Sequence, residues 1–254
     1  MNMLYRFSAV CLIIGMAVSL SIAQEDRAPT LGFDLSMQSK YIWRGIVFDE
    51  NPVLQPDIWM ETHGISMTFW GSYDLTDENG KHPGNFHEWD VFLDFYLGNY
   101  KTFSFGGEFF YGSFPTSSGL GSSTAEIAAW VTGDIFTSPT LMIYWDIWQL
   151  HGVYADFCLS EDITVGPGNL FLSSSLGWGD DRHNLWSGVT DAGGLLDWQI
   201  DATYSLNIKP NLSLSPGIHF GMTLQDDIRN YYDNQGINTS NLFFSLAAAY
   251  VITS

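Results

Sequence analysis

Residues 197–206 read DWQIDATYSL, and their side chains alternate between polar and apolar without interruption. After a short turn at 207–211, the segment 212–222 shows the same alternation, with Leu, Ile, Phe and Met on its apolar face. Successive side chains of a strand point to opposite faces, so each segment has one apolar and one polar face. Strands of about ten residues joined by a tight turn predict a β-hairpin that crosses a bilayer, with lipid outside and a wet lumen inside.

The same alternation continues along the chain, where it predicts twelve strands. They lie near 31–44, 56–63, 65–75, 88–98, 102–112, 124–134, 140–149, 151–160, 169–178, 196–207, 211–222 and 242–252. No helical period or change in composition interrupts this pattern. We therefore predict an all-β fold, a transmembrane antiparallel up-and-down β-barrel of about 12 strands.

The connections between these strands alternate between short and long. Outer-membrane barrels have short periplasmic turns and longer external loops, so this order predicts the outer membrane of a Gram-negative bacterium. An even number of strands then places both termini in the periplasm. The connection near 150–152 is shorter than this rule expects for an external loop.

The first 23 residues have the three parts of a secretory signal peptide. Arg6 supplies the positive charge, residues 7–22 are apolar, and Ser21-Ile22-Ala23 offers small residues at the cleavage positions. A membrane anchor is the alternative, but the apolar run is short and no basic flank follows it. We predict a signal peptide at 1–23 and a single barrel domain at 24–254, in which Cys158 has no second cysteine for a disulfide.

The composition also favours a membrane barrel. Aromatic residues make up 16% of the chain, and charged residues 15%, against about 25% charged residues in soluble domains. The formal net charge of −19 excludes nucleic acid as a partner, because binding phosphates requires clustered Lys and Arg. The expected partners are outer-membrane lipid and small solutes or ions. A soluble β-sandwich remains the alternative.

The alternation directs many carboxylates to the barrel interior. A charge that faces lipid costs a few kcal/mol, so these groups should line the lumen. They are Asp34, Asp57, Glu61, Asp90, Asp94, Glu108, Glu126, Asp146, Asp156, Asp197 and Asp201, and the strands answer them with Lys40 and Arg44. Such a duct would attract cations and repel anions. Alternatively, the carboxyl groups pair structurally with one another and with Arg44, which lowers the true charge.

Our candidates for the lumen and its constriction are Arg44, Lys40, Glu61, Asp90, Asp94, Glu108, Glu126, Asp146 and Asp201. The alternation also points large aromatic side chains inward: Trp59, Trp70, Phe92, Tyr96, Phe110, Trp130, Tyr144, Trp148 and Tyr154. These side chains predict a narrow or partly plugged duct. We expect Arg44 to pair with a carboxylate on a neighbouring strand, such as Glu61, because its planar fork suits bidentate binding.

A second set of aromatic residues points outward, mostly near strand ends. These are Trp43, Tyr73, Trp89, Tyr111, Trp145, Trp198 and Tyr250. Amphipathic rings concentrate at the two lipid–water interfaces of membrane barrels, so we predict that this set forms interfacial girdles.

The sequence offers no convincing catalytic or metal-binding set. His219 and Ser215 lie on one predicted strand but four residues apart, which is too far for a direct hydrogen bond. His82, His87 and Glu88 share a loop, but their spacing is too loose for a metal site. We therefore expect no catalytic residues, no metal, no cofactor and no enzyme activity. An outer-membrane hydrolase would require a Ser–His contact in space, which this sequence does not predict.

Several short motifs match one family in order. Tyr41-Ile42-Trp43-Arg44-Gly45 follows Ser39-Lys40, and Pro52, Gln55-Pro56 and a Gly71-containing strand come next. The segments 176–180 (LGWGD) and 188–191 (GVTD) complete the series. In these features the chain resembles the TorF-type porins, outer-membrane barrels with poorly defined substrates. The resemblance implies a barrel and a channel, and it implies no catalytic residues.

Together these features predict a porin-like channel for passive diffusion of small solutes or ions, in which an acidic lumen favours cations. A closed, non-conducting barrel with a structural or surface-binding role is the alternative. The last strand alternates back from Ile252 to Phe244, as expected of a strand that the barrel-assembly machinery engages, although a terminal aromatic residue is missing. We expect a monomer.

Overall fold

The computed structural model describes residues 29–76, 84–115, 122–185 and 189–253. The signal peptide predicted at 1–23 lies outside these ranges. The elements are β1 (Thr30–Gln38), β2 (Tyr41–Trp43), β3 (Ile46–Asp49), β4 (Val53–Thr62), β5 (Ile65–Asp74), β6 (Phe86–Tyr100), β7 (Phe103–Ser113), β8 (Ser123–Gly133), β9 (Thr140–Asp146), β10 (Val153–Val165), β11 (Gly168–Gly179), α1 (Asp181–Asn184), β12 (Gly194–Lys209), β13 (Leu212–Thr223), α2 (Asp226–Asn234) and β14 (Ser240–Thr253).

Twelve of these strands form a closed antiparallel barrel, which confirms the predicted fold class. Strands β4 to β14 pair in chain order, and β1 closes the ring by pairing with both β14 and β4. Closure leaves no strand edge without a partner, which is a requirement for a sheet surrounded by lipid. Each of the twelve predicted strands overlaps one strand of the barrel wall.

The first predicted strand, 31–44, is wrong beyond Gln38. The chain leaves the wall there, and β2 and β3 form a separate two-stranded hairpin. Arg44 (φ 48°) and Gly45 (φ 74°) are the central residues of its tight turn. Two consecutive positive φ angles are the pattern of a type I′ hairpin turn. The alternation stops here, because Ser39 and Lys40 are both polar and residues 41–43 are all apolar. Its loss does not by itself show where the chain turns.

The seventh predicted strand, 140–149, is also too long, and its inward assignment of Trp148 is wrong. Strand β9 ends at Asp146, and the Trp148 side chain is 61% exposed in the following loop. The Asp146 carboxylate accepts hydrogen bonds from the backbone N–H groups of Trp148 and Gln149, both at 2.8 Å. This side-chain-to-backbone turn ends the strand.

The wall has one apolar and one polar face. Leu35, Ile200 and Leu246 point away from the lumen and are 45%, 39% and 44% exposed. On the other face, Glu126 and Asp197 are buried at 4% and 3% exposure. A large apolar outer surface around a polar interior is the arrangement of a transmembrane barrel.

The two ends of the barrel differ. Most connections are short at the end where β1 begins and β14 finishes, and most are longer at the opposite end, the loop end. The connections 134–139 and 147–152, one at each end, have equal length. Two loop-end connections carry the helices α1 and α2, which period-two alternation did not predict. Gln225 caps α2 by accepting the Ile228 N–H at 2.9 Å. Within the described ranges, no helix is long and apolar enough to cross a membrane.

The two faces can be tested with neighbouring residues at the middle of β14. Leu246 points outward and Ala247 inward, opposite the small residues Ser36 and Ser215. We expect Leu246→Arg to lower the free energy of unfolding by about 2–4 kcal/mol, because it places a charge at the bilayer midplane. Ala247→Arg should cost much less, since its charge faces the wet lumen. Urea titration in lipid vesicles measures both, and equal losses would contradict this orientation.

Candidate lumen site

The β2–β3 hairpin crosses the lumen from one wall to the other. It starts between β1 and β4, and its turn reaches β8, which lies on the opposite side of the strand ring. On the way, Trp43 packs against Phe110 of β7, with ring centroids 6.4 Å apart. Tyr41 packs against Trp70 of β5, with centroids 5.7 Å apart. The hairpin therefore acts as a bar across the barrel interior.

The tip of this bar ends in a buried ion pair. Two guanidinium nitrogens of Arg44 donate to the two carboxylate oxygens of Glu126, at 2.8 and 2.6 Å. The two side chains are only 7% and 5% exposed. Three rings surround the guanidinium, with its carbon 4.2 Å from the Trp43 centroid, 4.6 Å from Tyr144 and 4.2 Å from Tyr154. A bidentate carboxylate and aromatic faces are the environments that a guanidinium prefers.

The expected partner of Arg44 was therefore the wrong carboxylate. Glu61 lies exposed at the short-turn end, one residue before the end of β4. If the first strand had continued to Arg44, the Arg44 side chain would have stayed near the residues of the adjacent wall strands. The turn at Arg44 and Gly45 instead folds the segment inward, and Glu126 on the far wall becomes the partner.

Further contacts fix the hairpin to the wall. The Thr223 hydroxyl donates to the Gly45 carbonyl at 2.6 Å, and Lys40 Nζ donates to Asn241 Oδ1 at 2.9 Å. A Cβ atom on Gly45 would fall 2.5 Å from the Asp197 Cβ. Glycine is thus required at this turn position both for its φ of 74° and for close approach to β12.

Burial and neighbouring charges determine the protonation states of Arg44 and Tyr41 in the hairpin. Burial lowers the pKa of Arg44, but the charge and hydrogen bonds of Glu126 raise it further, so the net pKa lies above its usual value. The guanidinium is therefore charged. Burial, followed by the charges of Glu88 and Asp90, raises the pKa of the Tyr41 hydroxyl, which shares a hydrogen bond with Glu88.

A cavity of about 410 Å³ lies between the hairpin and the wall. Its lining combines the carboxyl groups of Asp90, Glu108, Glu126 and Asp156 with aromatic rings. One oxygen of the buried Asp90 has no hydrogen-bond partner among the described groups. The space is large enough for several water molecules or a small solute.

The predicted lumen residues occupy different parts of the interior. Lys40, Arg44, Asp90, Glu108 and Glu126 lie at the hairpin or its cavity. Asp94 lies directly opposite Glu108 in the β6–β7 ladder. Asp146 accepts a hydrogen bond from Thr124 at 2.9 Å near the loop end, and Asp201 accepts one from Ser173 at 3.1 Å. The structure thus brings five of the nine candidates to the hairpin and its cavity, and Asp94 and Asp146 lie next to members of this group. Glu61 and Asp201 lie elsewhere.

Glu88 is a lumen residue that the sequence analysis missed. It is 3% exposed and lies two residues before Asp90 on β6. The predicted strand began at this residue, and Glu88 was considered only as a loop ligand with His82 and His87. His82 lies outside the described residues. Because Glu88 and Asp90 are two residues apart, the alternation within the predicted strand already placed Glu88 on the same inner face.

One predicted interfacial aromatic residue is misplaced. Trp43 packs inside the barrel against Arg44 and Phe110, because its segment belongs to the hairpin and not to the wall. The other six occupy wall strands: Tyr73, Trp89, Tyr111, Trp145, Trp198 and Tyr250. Trp89 stacks on the outward Phe69, with centroids 5.2 Å apart. Their depth in a bilayer stays a prediction.

The loop end covers the hairpin from above. His183 of α1 packs against Tyr154 in a tilted arrangement, with ring centroids 5.1 Å apart. It also lines a small recess beside Arg44, Glu126 and Asp146. Burial, with a smaller contribution from the charge of Arg44, lowers the pKa of His183 to about 3. Ile228 of α2 is fully buried in the same cluster as Tyr154 and Leu196. The lumen mouth is therefore packed.

A second polar network lies in the wall formed by β12, β13 and β14. His219 Nδ1 is 2.7 Å from Asp201 Oδ1, and His219 Nε2 is 2.8 Å from Ser245 Oγ. As expected from the sequence, Ser215 is not the partner of His219, and its Oγ lies 2.8 Å from Ser205 Oγ. The partner is Ser245, which the sequence did not predict because it comes from the adjacent strand. That the chain is no enzyme stays a prediction.

No family model and no curated protein matches the chain. Among solved structures, it is similar to an outer-membrane channel from Pseudomonas putida F1, with a TM-score of 0.50, 8% identity and coverage of 91% of this chain and 97% of the channel. A KdgM porin in complex with disordered oligogalacturonate gives a TM-score of 0.49 at 8% identity, covering 87% of this chain and 98% of the porin. At 8% identity the likeness to the Pseudomonas channel concerns the fold alone, which is an outer-membrane β-barrel.

The ion pair at the hairpin tip can be tested by removing its members singly and together. Arg44→Ala or Glu126→Gln should each lower the opening free energy of the hairpin, with Arg44→Ala costing about 3–5 kcal/mol because it leaves an unpaired buried charge. Hydrogen exchange of the amides at 41–49 measures this opening. In the double variant, the decrease in the opening free energy should be much smaller than the sum of the decreases in the two single variants. Additive losses would show that the two groups are not coupled.

The buried His183 predicts a pH-dependent loop end. When the loop is displaced, His183 recovers its ordinary pKa of about 6.5 and takes up a proton below that pH. In the packed loop its pKa is about 3, so the imidazole stays neutral. Stability of the packed state is therefore complete above pH 6.5 and falls as the pH drops, by roughly 2 kcal/mol between pH 7 and 5. Protease nicking of the 180–193 connection should rise accordingly. His183→Gln should remove most of this pH dependence, and an unchanged pH dependence would contradict the assignment.

Proposed function

We propose that this chain is an outer-membrane channel of the TorF type through which small solutes or ions diffuse passively, with a preference for cations. One observation carries the proposal: a closed barrel with an apolar exterior encloses a carboxylate-lined cavity of about 410 Å³. Lipid on the outside makes such a wall a barrier, and its interior is the polar route across it.

The preference for cations follows from the balance of charge in the lumen. Arg44 and Glu126 form an ion pair, so together they add no net charge to the lumen. Asp90, Glu108 and Asp156 line the same cavity in addition to that pair. Neighbouring carboxyl groups share protons, which reduces the charge without reversing its sign. A negative lumen lowers the barrier for cations and raises it for anions.

The hairpin controls the width of the proposed route. It spans the lumen, and solutes pass either through the cavity beside it or after it moves. Its tip depends on the Arg44–Glu126 pair and on the Thr223–Gly45 hydrogen bond. The hairpin is held by a few polar contacts, whereas each wall strand forms a ladder of backbone hydrogen bonds on both sides. The hairpin is therefore displaced more easily than a wall strand.

The remaining expectations belong to the same proposal. The short-turn end, where β1 begins and β14 finishes, faces the periplasm, and the long connections face outward. Outer-membrane lipid contacts the apolar wall, and the barrel-assembly machinery engages β14 during insertion. We expect the chain to act as a monomer; in support, its barrel is completed without strands from a second copy.

A closed, non-conducting barrel is the second candidate function. The hairpin across the lumen and the packed residues Tyr154, Leu196 and Ile228 at the loop end favour it. In that case the external connections would bind a partner or surface lipid, and the lumen network would only stabilise the wall. Ion flux separates the two candidates.

Planar-bilayer recording in a KCl gradient tests the channel directly. We expect a reversal potential that indicates K⁺ preference, and a several-fold higher conductance in Arg44→Ala, because the hairpin loses its main anchor. The double variant Asp94→Asn/Glu108→Gln should weaken the cation preference, since it removes the charge shared by this pair. Asp134→Asn, in an exposed short turn outside the lumen, is the matched control. Absence of conductance in both wild type and Arg44→Ala would favour the closed barrel, and anion preference would refute the selectivity.

A further inference from the structure

Three neighbouring strands bring a carboxylate, an imidazole and a hydroxyl into line on the lumen face. Asp201 is on β12, His219 on β13 and Ser245 on β14. The imidazole is 2.7 Å from the carboxylate through Nδ1 and 2.8 Å from the hydroxyl through Nε2. We propose that Ser245 is a nucleophile activated by His219, and that the barrel carries an acyl-transfer activity toward small esters that enter its lumen.

The hydrogen bonds fix the direction of proton movement. Asp201 accepts from Ser173 at 3.1 Å and from Gln199 at 2.9 and 3.1 Å, so its oxygens act as acceptors. His219 must then carry its proton on Nδ1, which faces this carboxylate. Nε2 is left with a lone pair, and the Ser245 hydroxyl donates to it. This is the order of roles in which an imidazole works as a general base.

The reacting groups lie on the lumen side of the wall and are partly exposed there. The imidazole and carboxylate side chains are 14% and 19% exposed, and Ser245 is partly exposed. His219 is also stacked on Phe243, with centroids 4.9 Å apart, which holds the ring plane. Ordered neighbours of this kind limit the rotamers of the base, so the hydroxyl and imidazole stay aligned.

A glycine lets the proposed nucleophile and base approach each other. Gly217 lies beside Ser245 in the β13–β14 ladder and beside Thr203 in the β12–β13 ladder. A Cβ atom on Gly217 would collide with Ser245 Oγ and would lie 2.6 Å from His219 Nε2 and 3.1 Å from Thr203 Oγ1. The absence of a side chain at Gly217 therefore allows a nucleophile, a base and a second hydroxyl to converge over its backbone. Gln38 lies opposite Ser245 on β1 and adds an amide on the other side.

The chemistry would proceed by two balanced transfers. Ser245 Oγ attacks the ester carbonyl carbon while His219 Nε2 takes the hydroxyl proton. The acyl–oxygen bond of the ester then breaks, and His219 returns the proton to the leaving alcohol. Water attacks the acyl-serine by the same route, which releases a carboxylic acid and restores the hydroxyl. Asp201 is a positioning residue in both steps. Uncharged esters suit the site, because an acidic lumen repels anions.

A fluorophosphonate probe tests this proposal on the whole barrel in detergent. Ser245 Oγ would bond to phosphorus and displace fluoride, and mass spectrometry would locate the adduct on the peptide that contains residues 242–252. We expect Ser245→Ala to abolish the labelling and His219→Gln to slow it by about 10²-fold or more, because general-base catalysis is lost. Asp201→Asn should slow it strongly as well, since the amide no longer favours the required tautomer.

Ser215→Ala is the matched control, because this lumen serine on β13 bonds to Ser205 and should leave the labelling rate unchanged. Heat-modifiable gel mobility verifies that each variant is folded. Labelling should also occur in Arg44→Ala, whose hairpin restricts the probe less. Failure to label Ser245 in both wild type and Arg44→Ala, or equal labelling of His219→Gln, would overturn the proposal. The labelling does not depend on conductance, so the acyl-transfer proposal can fail or succeed independently of the channel function.

Discussion

A strand within a bilayer has no water to satisfy its N–H and C=O groups, and this constraint shapes the whole molecule. The ring of twelve strands satisfies them only because β1 pairs with both β4 and β14. Closure in turn creates two unlike surfaces. Every second side chain contacts lipid, and the others share a confined interior where charges must find partners or water.

Inside the barrel, the β2–β3 hairpin, which is not part of the wall, supplies partners for buried charges. A two-residue turn at Arg44 and Gly45 sends the hairpin across the lumen, and the guanidinium meets Glu126 and three aromatic rings. A buried charge without such a partner would be costly, so the ion pair and the hairpin position depend on each other. The same pairing leaves the other lumen carboxyl groups in excess, which is the basis for the proposed cation preference.

Neighbouring strands also align side chains that are distant in sequence. In an antiparallel ladder, directly opposed residues have Cβ atoms about 4.5–5.5 Å apart, within reach of a hydrogen bond between longer side chains. Asp201 and His219 are opposed in this way, and Ser245 is diagonal to His219 across the next ladder. Asp94 and Glu108 are another opposed pair. The lumen is therefore a surface on which register, and not sequence spacing, determines chemistry.

The alternation of residues established the class of fold, the approximate strands and the face of nearly every wall residue, because a period of two is a local property of the backbone. The turn at Arg44 escaped it, because the alternation is lost over residues 39–43 and the loss of a pattern does not specify the path that the chain takes next. The pairing of Arg44 with Glu126, the inward position of Trp43 and the contact between His219 and Ser245 were decided only by the tertiary structure. Each depends on strand register or on a chain reversal, and these bring together residues that no sequence window contains.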